Sequence, residues 1–161
     1  MKHPVFLTLG NIPSWRRNKP DAKALFAYLP KIDDRQKKHT IAKYHLFQRS
    51  MNALIIEPIM SVMSSGLDLR TDDGILWCCP FLSILLGDLP EHHAITLTYN
   101  SSNCKMPCHI CTIPKNELNN PLIDHSIIQL RTLNMMKSVL KDGLSKNYSL
   151  HKIKNPFWKL S

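Results

Sequence analysis

The run ILWCCPFLSILLGDLPE, Ile75 to Glu91, decides how the rest of the chain is read. It is preceded by LDLRTDDG, so Leu67 to Asp88 reads as strand, Asp-Gly turn, strand. The second strand is apolar almost throughout. That pattern belongs to a strand covered on both faces, as in an α/β domain. Ile75 to Leu86 is only 12 residues long and is interrupted by Pro80, too short to span a bilayer. Its end is the chemically interesting part. Asp88 follows Gly87 just past the strand, at the rim where α/β sheets place functional groups, with Pro90 fixing the turn and Glu91 close behind. Nucleic-acid phosphoryl transfer commonly uses two Mg²⁺ about 4 Å apart held by several carboxylates, and one Asp cannot make that site. Taken alone, Asp88 is most simply a turn residue.

Working outward, AITLTYN, Ala94 to Asn100, predicts another short strand, and HPVFLTLGN, His3 to Asn11, predicts one ending in a Gly/Asn turn. IPSWRRNKPD reads as an irregular basic loop, with Pro20 or Asp21 opening a short helix through Tyr28. Arg16, Arg17 and Lys19 in this loop are candidates for phosphate contact. From about Arg35 to Ser64, Ile41, Tyr44, Phe47, Met51, Leu54, Ile55, Ile59 and Val62 recur at helical spacing, predicting a long amphipathic helix kinked at Pro58 and stopped by Gly66. Its methionines read as core filler. Asp124 can cap a further helix to about Lys141, with Gly143 beyond its end. The tail closes on NPFWKLS, whose large apolar side chains need something to pack on; an end there reads as truncation.

Three thiols at Cys104-x3-Cys108-x2-Cys111 have the spacing with which a loop begins a tetrahedral Zn²⁺ site. Spacing does not specify the fourth ligand. His109 lies inside the knuckle, His92, His93 and His125 are further candidates, and a ligand from another chain would also serve. The same spacing resembles the iron-sulfur motif of radical S-adenosylmethionine enzymes, but Ile110 stands where those have an aromatic residue and only 50 residues follow. Cys78 and Cys79 read as buried free thiols. Five cysteines without a secreted framework, and no secretory signal at the N-terminus, predict a reducing intracellular compartment. No phosphate-binding glycine loop, H-E-x-x-H or Gly-x-Ser-x-Gly run is present.

The chain of 161 residues is long enough for one compact domain and carries a net charge of +9. Residues 1 to 50 hold 11 Lys+Arg against 3 Asp+Glu, residues 51 to 130 hold 3 against 8, and residues 131 to 161 hold 7 against 1. Basic flanks around an acidic middle suit a protein that grips a polyanion, most often nucleic acid, with its outer parts and keeps carboxylates for metal centrally. Solvated helix faces at both ends would produce the same asymmetry.

Read together, HPVFLTLGNIPSWRRNKPDAKALFAYLPKI, LLGDLPE, PCHIC and NPFW resemble successive blocks of the Plavaka-type transposases of fungal genomes, relatives of the CACTA (EnSpm) DNA transposons. The family pattern runs through P-V-x-L-T-x-G-N-I-P, a basic loop, Y-L-P, G-D-x-P-E, a cysteine pair and N-P-F-W, in that order. The resemblance implies an α/β fold with a partial RNase H-like (DDE/D) mixed sheet over residues 1–100, a zinc knuckle-like cysteine insertion over 101–123, and a helix with a basic tail over 124–161. It implies Mg²⁺-dependent cleavage and joining of DNA in the nucleus, with Asp88 as the second catalytic acid and Cys108 and Cys111 as zinc ligands; Cys104 is not part of the usual pair. The first acid of such transposases precedes the P-V-x-L-T block and the last lies beyond N-P-F-W. The expectation is therefore an internal piece with one acid of three, inactive by itself. The alternative is a non-catalytic zinc- and nucleic-acid-binding module.

Overall fold

The computed structural model describes residues 3–30, 32, 39–100 and 103–160. The chain is a mixed α/β protein with two small antiparallel sheets and several helices, divided into an N-terminal unit, Met1–Leu86 with Leu160, and a C-terminal unit, Gly87–Lys159.

In the N-terminal unit, β1 (His3–Leu7) pairs antiparallel with β2 (Ala24–Leu29), His3 opposite Leu29, with a bulge between Val5 and Phe6. The loop between them carries α1 (Ser14–Arg17) and a single 3-10 turn at Pro20–Ala22. The helix expected to run through Tyr28 is therefore only that turn. Leu25, Phe26 and Tyr28 join a strand because β1 offers them a ladder, a tertiary opportunity that outweighs the modest helix preference of Ala and Leu.

The long helix is present from α2 (Thr40–Met51) to α3 (Glu57–Ser65); residues 35–38, where its expected start falls, lie outside the described residues. Its break has the expected cause and a particular form. Pro58 sits in the first turn of α3 and lacks an N–H, and the preceding segment Asn52–Ile56 widens to π geometry, Glu57 N–H donating to the Asn52 carbonyl. Met51, Ile55 and Ile56 are buried there. Gly66 ends the helix at φ 70 and ψ 179, a backbone region that essentially only glycine occupies.

β3 (Leu67–Thr71) and β4 (Gly74–Cys78) form the expected hairpin, Thr71 opposite Gly74. The burial expected of β4 is not found. Trp77 is 65% exposed and Ile75 69%, and after Cys78 the chain runs without regular structure to a Leu86 that is 87% exposed. Among the described residues β4 pairs with β3 alone, and Pro80 has no N–H with which to extend the ladder. Apolar composition marked the segment as able to be buried; pairing and covering layers would have to do the burying.

The C-terminal unit begins with α4 (Leu89–Thr96), where a strand was expected from Ala94. Asp88 and Glu91 close a capping box around its first turn, and Leu97 ends it in the left-handed conformation at φ 59. Only Thr98 keeps the strand character read from the β-branched residues, as a single antiparallel bridge to Leu150. Asp124 caps one 3-10 turn, its Oδ1 accepting from Ser126 N–H at 2.8 Å, rather than a helix to Lys141. The helix proper is α5 (Leu133–Lys141), capped by Thr132. Met136, Val139 and Leu150 form a core on which Met135, Leu140, Tyr148 and Trp158 pack. The NPFW segment thus finds its packing inside this unit: Asn155 is buried, donates to the Ile95 carbonyl at 2.8 Å and accepts from Phe157 N–H.

Candidate functional site

The cysteine loop is held from behind by one arginine. Arg131 is buried, and its Nε donates to the carbonyls of Cys108 (2.9 Å) and Cys111 (3.0 Å), Nη1 to Tyr148 (2.8 Å) and Nη2 to Met106 (3.1 Å). Its backbone N–H donates to the Ile110 carbonyl, and Thr112 and Gln129 exchange bonds alongside. Residues 110–112 and 129–131 therefore run as a short strand-like pair under the thiols. Burial lowers the Arg131 pKa, while Cys108, Cys111 and Cys104 act to raise it, so the positive charge faces sulfur rather than a carboxylate.

The surrounding main chain, and to a smaller degree that charge, polarise the thiols. Burial pushes Cys108 up, but N–H groups of Ile110 and Cys111, the Cys111 thiol and Arg131 outweigh it and bring Cys108 below its ordinary value. Cys111 moves the other way, raised by burial and by its bond to Cys108. The pair thus deprotonates first at Cys108. Ile110 N–H lies 3.3 Å from Cys108 Sγ, a contact that favours thiolate. Cys104 has another place: it is buried and its thiol donates to the Tyr99 carbonyl at 3.8 Å.

Histidines surround the loop. His109 stacks on His92 at 5.1 Å between ring centroids and meets His93 edge-on at 5.6 Å. His93 is buried, with Nδ1 2.7 Å from Thr98 Oγ1, and burial lowers its pKa, helped by His109, Arg131 and His92. His109 is lowered by burial, then by His92 and Arg131. The side chain of His125 lies outside the described residues. Among the described residues, no three His, Cys, Asp or Glu side chains converge to hold a metal ion. The donor chemistry of Cys108 and Cys111, two mutually bonded thiols with one biased to thiolate, fits half of a tetrahedral zinc site.

Asp88 is committed locally. Its Oδ1 accepts from Glu91 N–H at 2.8 Å, and Glu91 Oε2 accepts from Asp88 N–H at 3.0 Å. A Cβ on Gly87 would stand 2.7 Å from that Glu91 oxygen, so the glycine is what lets the carboxylate fold back. In the basic loop, Arg16 makes a bidentate pair with Asp21 at 2.5 Å, which raises the arginine pKa and lowers that of the acid. Arg17 donates to the carbonyls of Gly10 and Ile12, both at 2.8 Å, closing the loop on itself. Lys19 is exposed.

Arg131 was not read from the sequence, and His92, His93 and His109 were read only as candidate metal ligands, not as a stacked group. The available signal for Arg131 was a lone charge in the otherwise uncharged run SIIQLRTLNMM, Ser126 to Met136.

The chain belongs to the Plavaka transposase family, whose family model matches residues 1–160. No curated protein and no solved structure gives a match. Among the described residues no helix is long and apolar enough to cross a membrane.

Proposed function

We propose that this chain belongs to a nuclear CACTA (EnSpm)-like transposition machinery of fungal type whose intact relatives cleave and join DNA strands with Mg²⁺, and that by itself it binds DNA without cutting it. The observation that carries this is the family match across residues 1–160. In this reading residues 1–100 derive from an RNase H-like core, 101–123 are the cysteine insertion and 124–161 the helix with its basic tail. Asp88 is the acid of the DDE/D set. One bond at Oδ1 does not exhaust a carboxylate, which has about four acceptor positions, so the cap and a cation can share it. Mg²⁺ held there with further carboxylates would polarise a phosphodiester. Cys108 and Cys111, with Cys104 nearby in sequence, are the residues that would hold zinc, which would supply a structural cross-link to the loop that Arg131 braces. Arg16, Arg17 and Lys19 contact the DNA backbone; for Arg16 this means sharing or surrendering Asp21.

The test is fluorescence anisotropy with labelled DNA over a salt series, together with Mg²⁺-dependent nicking by the same protein and by Asp88→Asn, which keeps the cap. Binding that weakens steeply with salt supports the reading. Absence of binding at about 50 mM salt overturns it.

A second reading, a non-catalytic zinc- and nucleic-acid-binding module, is favoured by the engagement of Asp88 in the capping box. It expects DNA affinity unchanged in Asp88→Asn, no nicking, and a thiolate-to-metal absorption band on adding Co²⁺ that is lost in Cys108→Ser or Cys111→Ser.

A further inference from the structure

We propose that the C-terminal unit contains a binding site for one unpaired nucleotide of a DNA strand, its phosphate held between Lys105 and Lys146 and its base laid against Tyr99. The proposal rests on the reading of the chain as a DNA-handling protein and names the form of DNA this site takes.

A cavity of about 390 Å³ is lined by Tyr99, Asn103, Cys104, Lys105 and Lys146. That volume sits near the lower end for small-ligand pockets and suits a single nucleotide. Among the described residues two ammonium groups and no carboxylate line it. Lys105 Nζ is steadied by Asn147 Oδ1 at 2.8 Å, which occupies one of its three donors and leaves the others to point at an anion. Lys146 is exposed and can follow a phosphate as the strand enters.

The aromatic wall is well supported. Tyr99 is half-buried and lies 4.6 Å, centroid to centroid, from the His151 ring. Burial pushes His151 down to about 4, so near neutral pH the imidazole backs the tyrosine as an uncharged ring. Backbone bonds lock the surround: Tyr99 N–H to the Ser149 carbonyl and His151 N–H to the Leu97 carbonyl, both at 2.8 Å. Ser149 is fully buried at a left-handed φ of 55, and its hydroxyl accepts from Met106 N–H at 3.0 Å. A supported ring beside cations is the arrangement that single-strand binders use, a stacking platform within a positive groove. Paired bases present no face to such a platform, so the site selects an unpaired nucleotide.

The test uses the full chain and fluorescein-labelled oligothymidine, with a duplex of equal length for comparison. Tyr99→Leu should weaken single-strand binding by about 5- to 100-fold while leaving duplex binding within about twofold, and Tyr99→Phe should restore it. Lys146→Gln, an exposed change that does not threaten the fold, should reduce the slope of log affinity against log salt by about 0.7 for the single strand. Oligothymidine binding by the native chain that neither Tyr99→Leu nor Lys146→Gln alters overturns the site and leaves the DNA reading standing. Equal losses on duplex and single strand overturn the unpaired-base assignment. Failure of the native chain to bind either DNA overturns the broader reading and this site together.

Discussion

Replacing Arg131 by Met should cost the C-terminal unit about 3–5 kcal/mol. The side chain makes four hydrogen bonds to main-chain carbonyls of Met106, Cys108, Cys111 and Tyr148. Bonds from a charged donor contribute roughly 1.5–3 kcal/mol each. Their gross sum is offset by the several kcal/mol needed to remove a guanidinium from water, which the substitution recovers. Buried ion pairs can be exchanged for apolar side chains with little loss when every polar partner is exchanged too. Here the partners are backbone and stay behind unsatisfied, so the balance falls on the destabilising side. Arg131→Lys should lie between, because one ammonium cannot span four carbonyls. The assay is urea denaturation followed by the fluorescence of Trp158, which packs on the Met136, Val139 and Leu150 core, in a Trp15→Phe, Trp77→Phe background. With a urea slope of about 1–3 kcal/mol per molar, the midpoint should fall by at least about 1 M. A loss below about 1 kcal/mol would refute the claim that Arg131 organises the cysteine loop.

Asp88→Ala should destabilise α4 by about 0.5–2 kcal/mol in thermal or urea unfolding, whereas Asp88→Asn, itself a good cap, should stay close to the native value; equal losses in both would sink the capping assignment. Gly66→Ala should cost the N-terminal unit at least about 2 kcal/mol, since an added Cβ stands 2.6 Å from the Trp77 ring and the backbone is in a glycine-only region; an unchanged unfolding midpoint would contradict this. Stability of the C-terminal unit should fall as pH drops from about 6.5 toward 4. His151 is held at about 4, so the unfolded chain binds more protons in that window; His93 and His109 are displaced in the same direction. After discounting for partial solvent access, His151 accounts for about 1–2 kcal/mol, and His151→Phe should flatten the profile. A native profile rising toward acid would reverse the argument. Free-thiol labelling near neutral pH should modify Cys108 ahead of Cys111, and the reverse order would contradict the stabilisation of the Cys108 thiolate by the Ile110 and Cys111 N–H groups.

Much of the local structure was legible in the residues themselves. The proline-broken helix with its glycine stop and the glycine after α5 follow from backbone chemistry that needs only near neighbours, as does the β3–β4 hairpin, although it turns on Asp72–Asp73, with Gly74 already in β4, rather than on Asp-Gly. Asp88 was legible as a turn or capping residue for the same reason. Of the residues read wrongly, some depended on distant partners and some on a cap just outside the segment. Ala24–Leu29 became a strand because β1 lies alongside, and Ala94–Thr96 stayed helical because a box three residues upstream started the helix. Gly74–Cys78 kept its apolar residues exposed because no second ladder forms on it among the described residues.

The sequence by itself determined the family, through ordered blocks, and the chemistry on offer: thiols at ligand spacing, one carboxylate behind a glycine, basic flanks. Tertiary structure alone decided how those groups are used. Arg131 reaches back 20 and 23 residues to the cysteine carbonyls, His109 meets His92 across a loop, and Lys146 comes to Lys105 from 41 residues away. Spacing along the chain carries no information about such meetings, because backbone bonds between Leu97–Tyr99 and Ser149–His151 set them. The candidate site is made of residues that sequence names singly and only folding assembles.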